Sequence, residues 1–186
     1  MALVRAGNPQ VTFSELATWP DDGRRYELYD GEVIVVPAPL PRHQLVSIRF
    51  GEVLIEYRRA TGGLVLFSPI DIVFSEHHVV QPDIVYFRES RRHLIDMMAA
   101  IRIPPDLVVE VLSRSTEARD RGRKMQMFAR FGVPEYWIVD PVANTVEVYR
   151  LDAVSYTCLG VSGEEDTVVS ATMPNLTCAA RHLFEA

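Results

Sequence analysis

The sequence predicts an α+β domain, and three observations carry that prediction. Asp30-Gly31 stands between two strand-like runs, residues 106–112 form a compact apolar strand, and residues 42–60 and 115–131 carry apolar side chains at helical spacing. At 186 residues, with 48% hydrophobic and 24% charged side chains, the chain has the length and balance of one soluble globular domain spanning 1–186.

The elements follow in order. Thr12 or Ser14 can cap a short helix through Leu16 and Trp19, which Pro20-Asp21-Asp22-Gly23 ends. Residues 26–29 and 32–36 then flank Asp30-Gly31, a pair suited to the positive backbone angles of a two-residue hairpin turn. Pro37, Pro39 and Pro41 precede a helix over 42–60, where Leu45, Ile48, Val53 and Ile55 recur among polar residues and Gly62-Gly63 marks the stop. Two strand regions come next, 64–74 with a bend at Pro69 and 79–87 with Pro82 near its entry, joined by a turn over Glu76-His77-His78. Residues 88–102, with Leu94, Ile95, Met97 and Met98, suggest a helix on the sheet's edge or face. After Pro104-Pro105 comes the 106–112 strand, then a helix capped by Ser115 or Thr116 and stopped at Gly132 with Pro134 beyond. Residues 136–139 and 145–151 read as a strand pair joined at Asp140-Pro141, followed by a strand around Tyr156 and a terminal segment to Phe184.

No apolar run reaches the roughly 18 to 20 residues of a membrane-spanning helix, so no membrane partner is expected. Residues 1–10 lack the apolar stretch of a secretory signal, which makes a cytoplasmic location the expectation. Cys158 and Cys178 read as reduced thiols. A net charge of −6 argues against an extended, sequence-independent grip on nucleic acid. It does not exclude a metal-dependent site, which concentrates carboxylates and reverses its local sign when cations bind.

Three residues stand out. Glu110 interrupts the apolar run Leu107-Val108-Val109-Glu110-Val111-Leu112, where an isolated carboxylate would lose several kcal/mol of hydration unless a metal or an arginine compensates it. Asp83 enters another apolar strand; alone it could simply hydrogen-bond its own loop, but beside Glu110 in one sheet it would complete a pair suited to Mg²⁺. Lys124 is the one lysine among nineteen Lys and Arg residues, and helical geometry sets it on the apolar side with Met127, Phe128 and Phe131. A lysine there either snorkels to solvent or reaches a partner anion such as Glu110.

Several motifs, in order, resemble a known family: Tyr26-Glu27-Leu28-Tyr29-Asp30-Gly31-Glu32, Pro41-Arg42-His43, Gln81-Pro82-Asp83, the strand from Pro105 through Glu110 to Ser113, Asp120 through Lys124, and Gly132-Val133-Pro134-Glu135-Tyr136-Trp137 with Val139-Asp140-Pro141. Together, over about residues 12–151, they look like the Uma-type "putative restriction endonuclease" family of the PD-(D/E)XK nuclease superfamily. The resemblance implies a restriction-endonuclease-like core, a mixed central β-sheet flanked by α-helices.

It also implies catalysis by Asp83, Glu110 and Lys124, with Asp83 and Glu110 as ligands for Mg²⁺ or Mn²⁺ and no other cofactor. The superfamily's usual lysine position is Leu112 here, so Lys124 would replace it from the following helix. Glu27 matches an early acidic position and either completes the metal shell or faces solvent. His43 either touches a scissile phosphate or caps and packs the long helix, and Asp120 is expected to form an i, i+4 ion pair that orients Lys124. Arg114 departs from the family, which commonly has proline between the two serines. The implied activity is hydrolysis of DNA phosphodiester bonds, by a homodimer if symmetry supplies the duplex contacts. A catalytically inactive nuclease-fold module that binds DNA or protein, and a hydrolase of small phosphoesters, are the competing readings.

Overall fold

The computed structural model describes residues 10–185; most of the segment read for a secretory signal lies outside the described residues. Thr12 caps α1 (Phe13–Leu16) in a reciprocal capping box with Glu15, whose carboxylate accepts from the Thr12 backbone N–H at 2.8 Å. β1 (Arg25–Tyr29) and β2 (Glu32–Val36) form the expected hairpin, with φ of +51° at Asp30 and +77° at Gly31. The long helix α2 (Pro41–Thr61) begins with proline at its first position, where the missing N–H costs nothing, and ends at Gly62.

The two strand regions that follow are each divided between sheets. β3 (Leu64–Phe67) and β6 (Ile84–Phe87) pair in one sheet, whereas β4 (Ile72–Ser75) and β5 (His78–Val80) pair in another. The prolines therefore end strands rather than bend them: Pro69 and Pro82 supply no ladder donor, and the chain changes sheets at each. His78, expected in the turn, belongs to β5, and Glu76-His77 make the turn alone.

The helix expected over 88–102 is also corrected. Only a 3-10 segment forms, Glu89–Leu94, and Met98 is 93% exposed. Its basic residues are drawn to the next loop instead: Arg91 donates to the Pro104 carbonyl at 2.8 Å and pairs with Asp106 at 3.0 Å. Ile101 then joins the smaller sheet by a bridge to Ile72.

β7 (Leu107–Val111) leads into a helix of three pieces, α3 (Glu117–Arg119), a π-helical turn Asp120–Lys124, and α4 (Met125–Arg130). Neither Ser115 nor Thr116 caps it by a side-chain bond to the helix; the Thr116 hydroxyl instead accepts from the Ser113 backbone N–H at 3.4 Å. Gly132, at φ +76°, stops it as expected. β8 (Glu135–Asp140), β9 (Thr145–Asp152) and β10 (Ser155–Ser162) complete the larger sheet, and β11 (Thr167–Val169), β12 (Thr177–Ala179) and α5 (Arg181–Phe184) close the chain.

The larger sheet has the order β10-β9-β8-β7-β6-β3, antiparallel except for the β7–β8 pair, and the smaller has the order β2-β1-β5-β4. Alternation along β7 sorts the two faces. Leu107, Val109 and Val111 pack with Val46, Phe50 and Leu54 of α2 and with Leu183 and Phe184 of α5. Val108 and Leu112 pack on the other face with Phe128 of α4 and with Tyr29 and Val80 of the smaller sheet. Glu110 belongs to this second face, facing the junction of sheet, helix and smaller sheet. Among the described residues no helix is long and apolar enough to cross a membrane, and both cysteines are free.

Candidate active site

The register of β6 on β7 sets Ile84 opposite Val109, so Asp83, one residue earlier, falls beside Glu110. The backbone N–H of Val111 fixes it by donating to Asp83 Oδ2 at 2.8 Å. The same oxygen faces His43 Nε2 at 3.1 Å, which brings the first turn of α2 into the site. The His43 side chain makes no capping hydrogen bond and meets Asp83 instead. Burial pulls its pKa down, but the hydrogen bond and charge of Asp83 outweigh burial and raise it overall.

Lys124 is 3% exposed, with its ammonium 2.6 Å from Glu110 Oε1 and 3.2 Å from Glu27 Oε1. It does not snorkel. Burial alone would lower its pKa, yet the two carboxylates hold it protonated and push the pKa well up. For Glu110 burial pushes the carboxyl up; Lys124 opposes this, while Asp83 and Asp120 act with burial. At 2.6 Å the two groups sit as a close, buried charge pair.

Glu27 does not face solvent, being 0% exposed. Besides Lys124 it holds Arg119 Nε at 3.7 Å and accepts from the Gln81 backbone N–H and the Tyr29 hydroxyl, each at 2.9 Å. Burial raises its pKa, and Lys124 and Arg119 more than reverse that, leaving it lowered. With its oxygens engaged by cations and donors, Glu27 is an anchor for Lys124.

Asp120 corrects another expectation: it forms no ion pair with Lys124. The cause is the π-helical turn between them, in which residues four apart no longer stack as they do in an α-helix. The Tyr136 hydroxyl donates to the Asp120 carbonyl at 3.1 Å, supplying a partner inside the widened turn. Asp120 Oδ1 is buried with no hydrogen-bond partner. The same turn brings Arg119 and Lys124, five residues apart, onto Glu27 together. Sequence periodicity gave no sign of Arg119, because α-helical spacing separates these two positions.

Arg121, also in the turn, forms a fork with Glu147 of β9, its nitrogens 2.9 and 2.7 Å from the two carboxylate oxygens. This pair ties the Lys124 segment to the larger sheet. Burial raises the Glu147 pKa, but its bonds from Arg121 and Tyr149 lower it below the ordinary 4.5. A lowered folded pKa stabilises the fold above the unfolded value and loses that contribution as pH falls through the folded one. Thermal melts should therefore show wild type losing its advantage over Arg121→Ala as pH drops below about 4.5; a constant advantage down to acid pH would show that the fork contributes no pH-linked stability.

His43, Asp83, Glu110, Asp120, Arg119 and Lys124 line one cavity of about 30 Å³, room for a single water or small ion. Among the described residues no three His, Cys, Asp or Glu side chains are grouped at metal-ligand spacing. The set nonetheless fits a hard cation held by two carboxylates, with water or phosphate completing its shell. The partnerless Asp120 oxygen and the like charges pressing on Glu110 are the observations that favour a cation there. A larger cavity of about 780 Å³ between α2 and the C-terminal segment is lined by Glu52, Glu56, His182 and Glu185, all exposed to solvent.

The whole described chain resembles a solved structure. The crystal structure of a "putative nuclease belonging to DUF820" from Anabaena variabilis superposes with a TM-score of 0.74 at 20% identity, covering 94% of this chain and 97% of that one. An uncharacterized protein of Synechocystis is 24% identical over 145 residues, which cover 76% of this chain and 75% of the relative. The profile of the Uma2 family, described as "Putative restriction endonuclease", matches residues 13–181, and with its mixed sheet flanked by helices the chain belongs to that family.

Proposed function

We propose that the protein is a divalent-metal-dependent endonuclease that hydrolyses DNA phosphodiester bonds, with Asp83, Glu110 and Lys124 as its catalytic residues. The observation that carries this reading is the Lys124 ammonium, buried at 2.6 Å from Glu110 and beside Asp83 at the junction of two sheets. Asp83 and Glu110 would hold Mg²⁺ or Mn²⁺. A bound ion of that kind polarises a phosphoryl oxygen and lowers the pKa of an attacking water. Lys124 stabilises the negative charge that develops on the phosphoryl oxygens, and Glu27 keeps the ammonium from withdrawing. His43 and the Val111 N–H hold Asp83 by one oxygen, which leaves the other free to bind.

The test is cleavage of duplex, single-stranded and branched DNA during titration with Mg²⁺ and Mn²⁺. Activity should require the ion and disappear in Asp83→Asn and Glu110→Gln. Cleavage that persists in chelator, or in folded variants, would remove the metal site. DNA binding without cleavage under every condition would favour the inactive nuclease-fold module.

A further inference from the structure

The small cavity opens into a second one of about 470 Å³, between the first half of α2 and the β3–β4 connection. The two share Arg25, Pro39, His43 and Asp83, so the larger is the outward continuation of the candidate active site. Its volume falls in the range of small-molecule sites. Its lining includes Ile48, 58% exposed, and Phe67, 41% exposed, an apolar surface beside a cluster of charges.

Phe67 is held, not loose. A Cβ on Gly51 would lie 2.6 Å from the ring's Cζ and nearer still to Cε1, so the ring rests directly on the backbone of α2. Glycine within a helix is less favourable than alanine. Here it gives the ring a fixed seat. Arg25 stands where the two cavities meet, braced by Ser68 Oγ at 2.9 Å and the Pro37 carbonyl at 2.7 Å, and among the described residues no carboxylate pairs with it.

We infer that this pocket is a subsite for one unpaired nucleotide next to the scissile phosphate, its base stacked on Phe67 and its phosphate facing Arg25. The position of the scissile phosphate rests on the nuclease reading above. Carboxylates, an unneutralised guanidinium and an exposed aromatic ring line one continuous groove, the three kinds of group that a nucleotide's reacting phosphate, its next phosphate and its base would meet. A base inside a duplex is already stacked on both faces and would have to leave the helix to reach the ring. The net charge of −6 supplies no broad electrostatic grip in place of such local contacts. Aromatic stacking with a nearby cation is how single strands are held.

The experiment is binding of a fluorescent single-stranded oligonucleotide carrying 2-aminopurine, in chelator and in Ca²⁺, followed separately by cleavage in Mg²⁺ and Mn²⁺. The single strand should bind more tightly than its duplex and show stacking of the probe base. Phe67→Ala should weaken binding at least about fivefold, the lower end for loss of one stacked base, while Phe67→Trp should retain it. An abasic position in place of the probe should cost wild type the same factor and Phe67→Ala nothing further. Equal affinity in folded Phe67→Ala, a duplex bound as well as the single strand, or no binding in either medium would overturn the subsite. A change in sedimenting mass caused by Phe67→Ala would overturn it too, by making the surface a contact between copies. Stacked binding without cleavage would leave the subsite standing and sink the nuclease reading; cleavage indifferent to Phe67 would do the reverse.

Discussion

Lys124→Ala should lower the cleavage rate of the folded, metal-loaded protein by about 10²- to 10³-fold, the loss that follows removal of one charge-stabilising donor, about 2.7–4 kcal/mol in the barrier. The same substitution should destabilise the fold, because Glu27 and Glu110 are both buried against that ammonium. Breaking a buried pair from one side typically costs about 3–5 kcal/mol. Catalytic and structural roles are therefore not alternatives at this position, and the rate must be measured per folded molecule. Metal affinity should hold or rise, since a cation competing for Glu110 is gone. Lys124→Arg should restore part of the stability and little of the rate, because its wide planar fork cannot occupy a point site between two carboxylates. An unchanged rate per folded molecule in both variants would take Lys124 out of the active site.

Glu135→Ala should produce the opposite pattern, a large loss of stability with no loss of rate per folded molecule. Glu135 lies at the start of β8, 0% exposed, and accepts from Trp137 Nε1, Ser170 Oγ, the Ala171 and Thr172 backbone N–H groups and Thr172 Oγ1. It fastens the segment that leads to β12 and α5 onto the larger sheet. Hydrogen bonds to a charged group contribute about 1.5–3 kcal/mol each, and they are not additive here, so a total of at least about 3 kcal/mol is expected. For a domain of this size that corresponds to a fall in Tm of roughly 6–12 °C. A fall smaller than about 2 °C would show that water replaces the carboxylate at little cost.

Glu135 also illustrates what was legible in the sequence. It stands in a motif shared with the family, yet nothing in the residues near it indicates that its five donors come from β8 itself and a segment some 35 residues later. By contrast, Asp83 and Glu110 could be picked out because an uncompensated carboxylate in an apolar strand is costly wherever the strand goes. Asp30-Gly31 was legible because its turn is set by two residues. The partition of 64–74 and 79–87 between two sheets was not, since Pro69 and Pro82 disrupt a strand without saying where the chain goes next. The pairing of Asp120 with Lys124 that helical spacing predicts does not form, for a related reason. Spacing arguments assume a regular helix, and the π-helical turn that breaks the rule leaves no mark on apolar periodicity.

The three-way contact of Lys124 with Glu27 and Glu110 has a consequence for local unfolding. Glu27 belongs to β1 in the smaller sheet and Glu110 to β7 in the larger, and one ammonium from the intervening helix joins them. If the smaller sheet swings away, it must leave with a buried charge stripped of its partner or take the helix along. Any opening that parts the smaller sheet from β7 therefore separates the Lys124 ammonium from Glu27 or from Glu110, so the site does not survive that fluctuation intact.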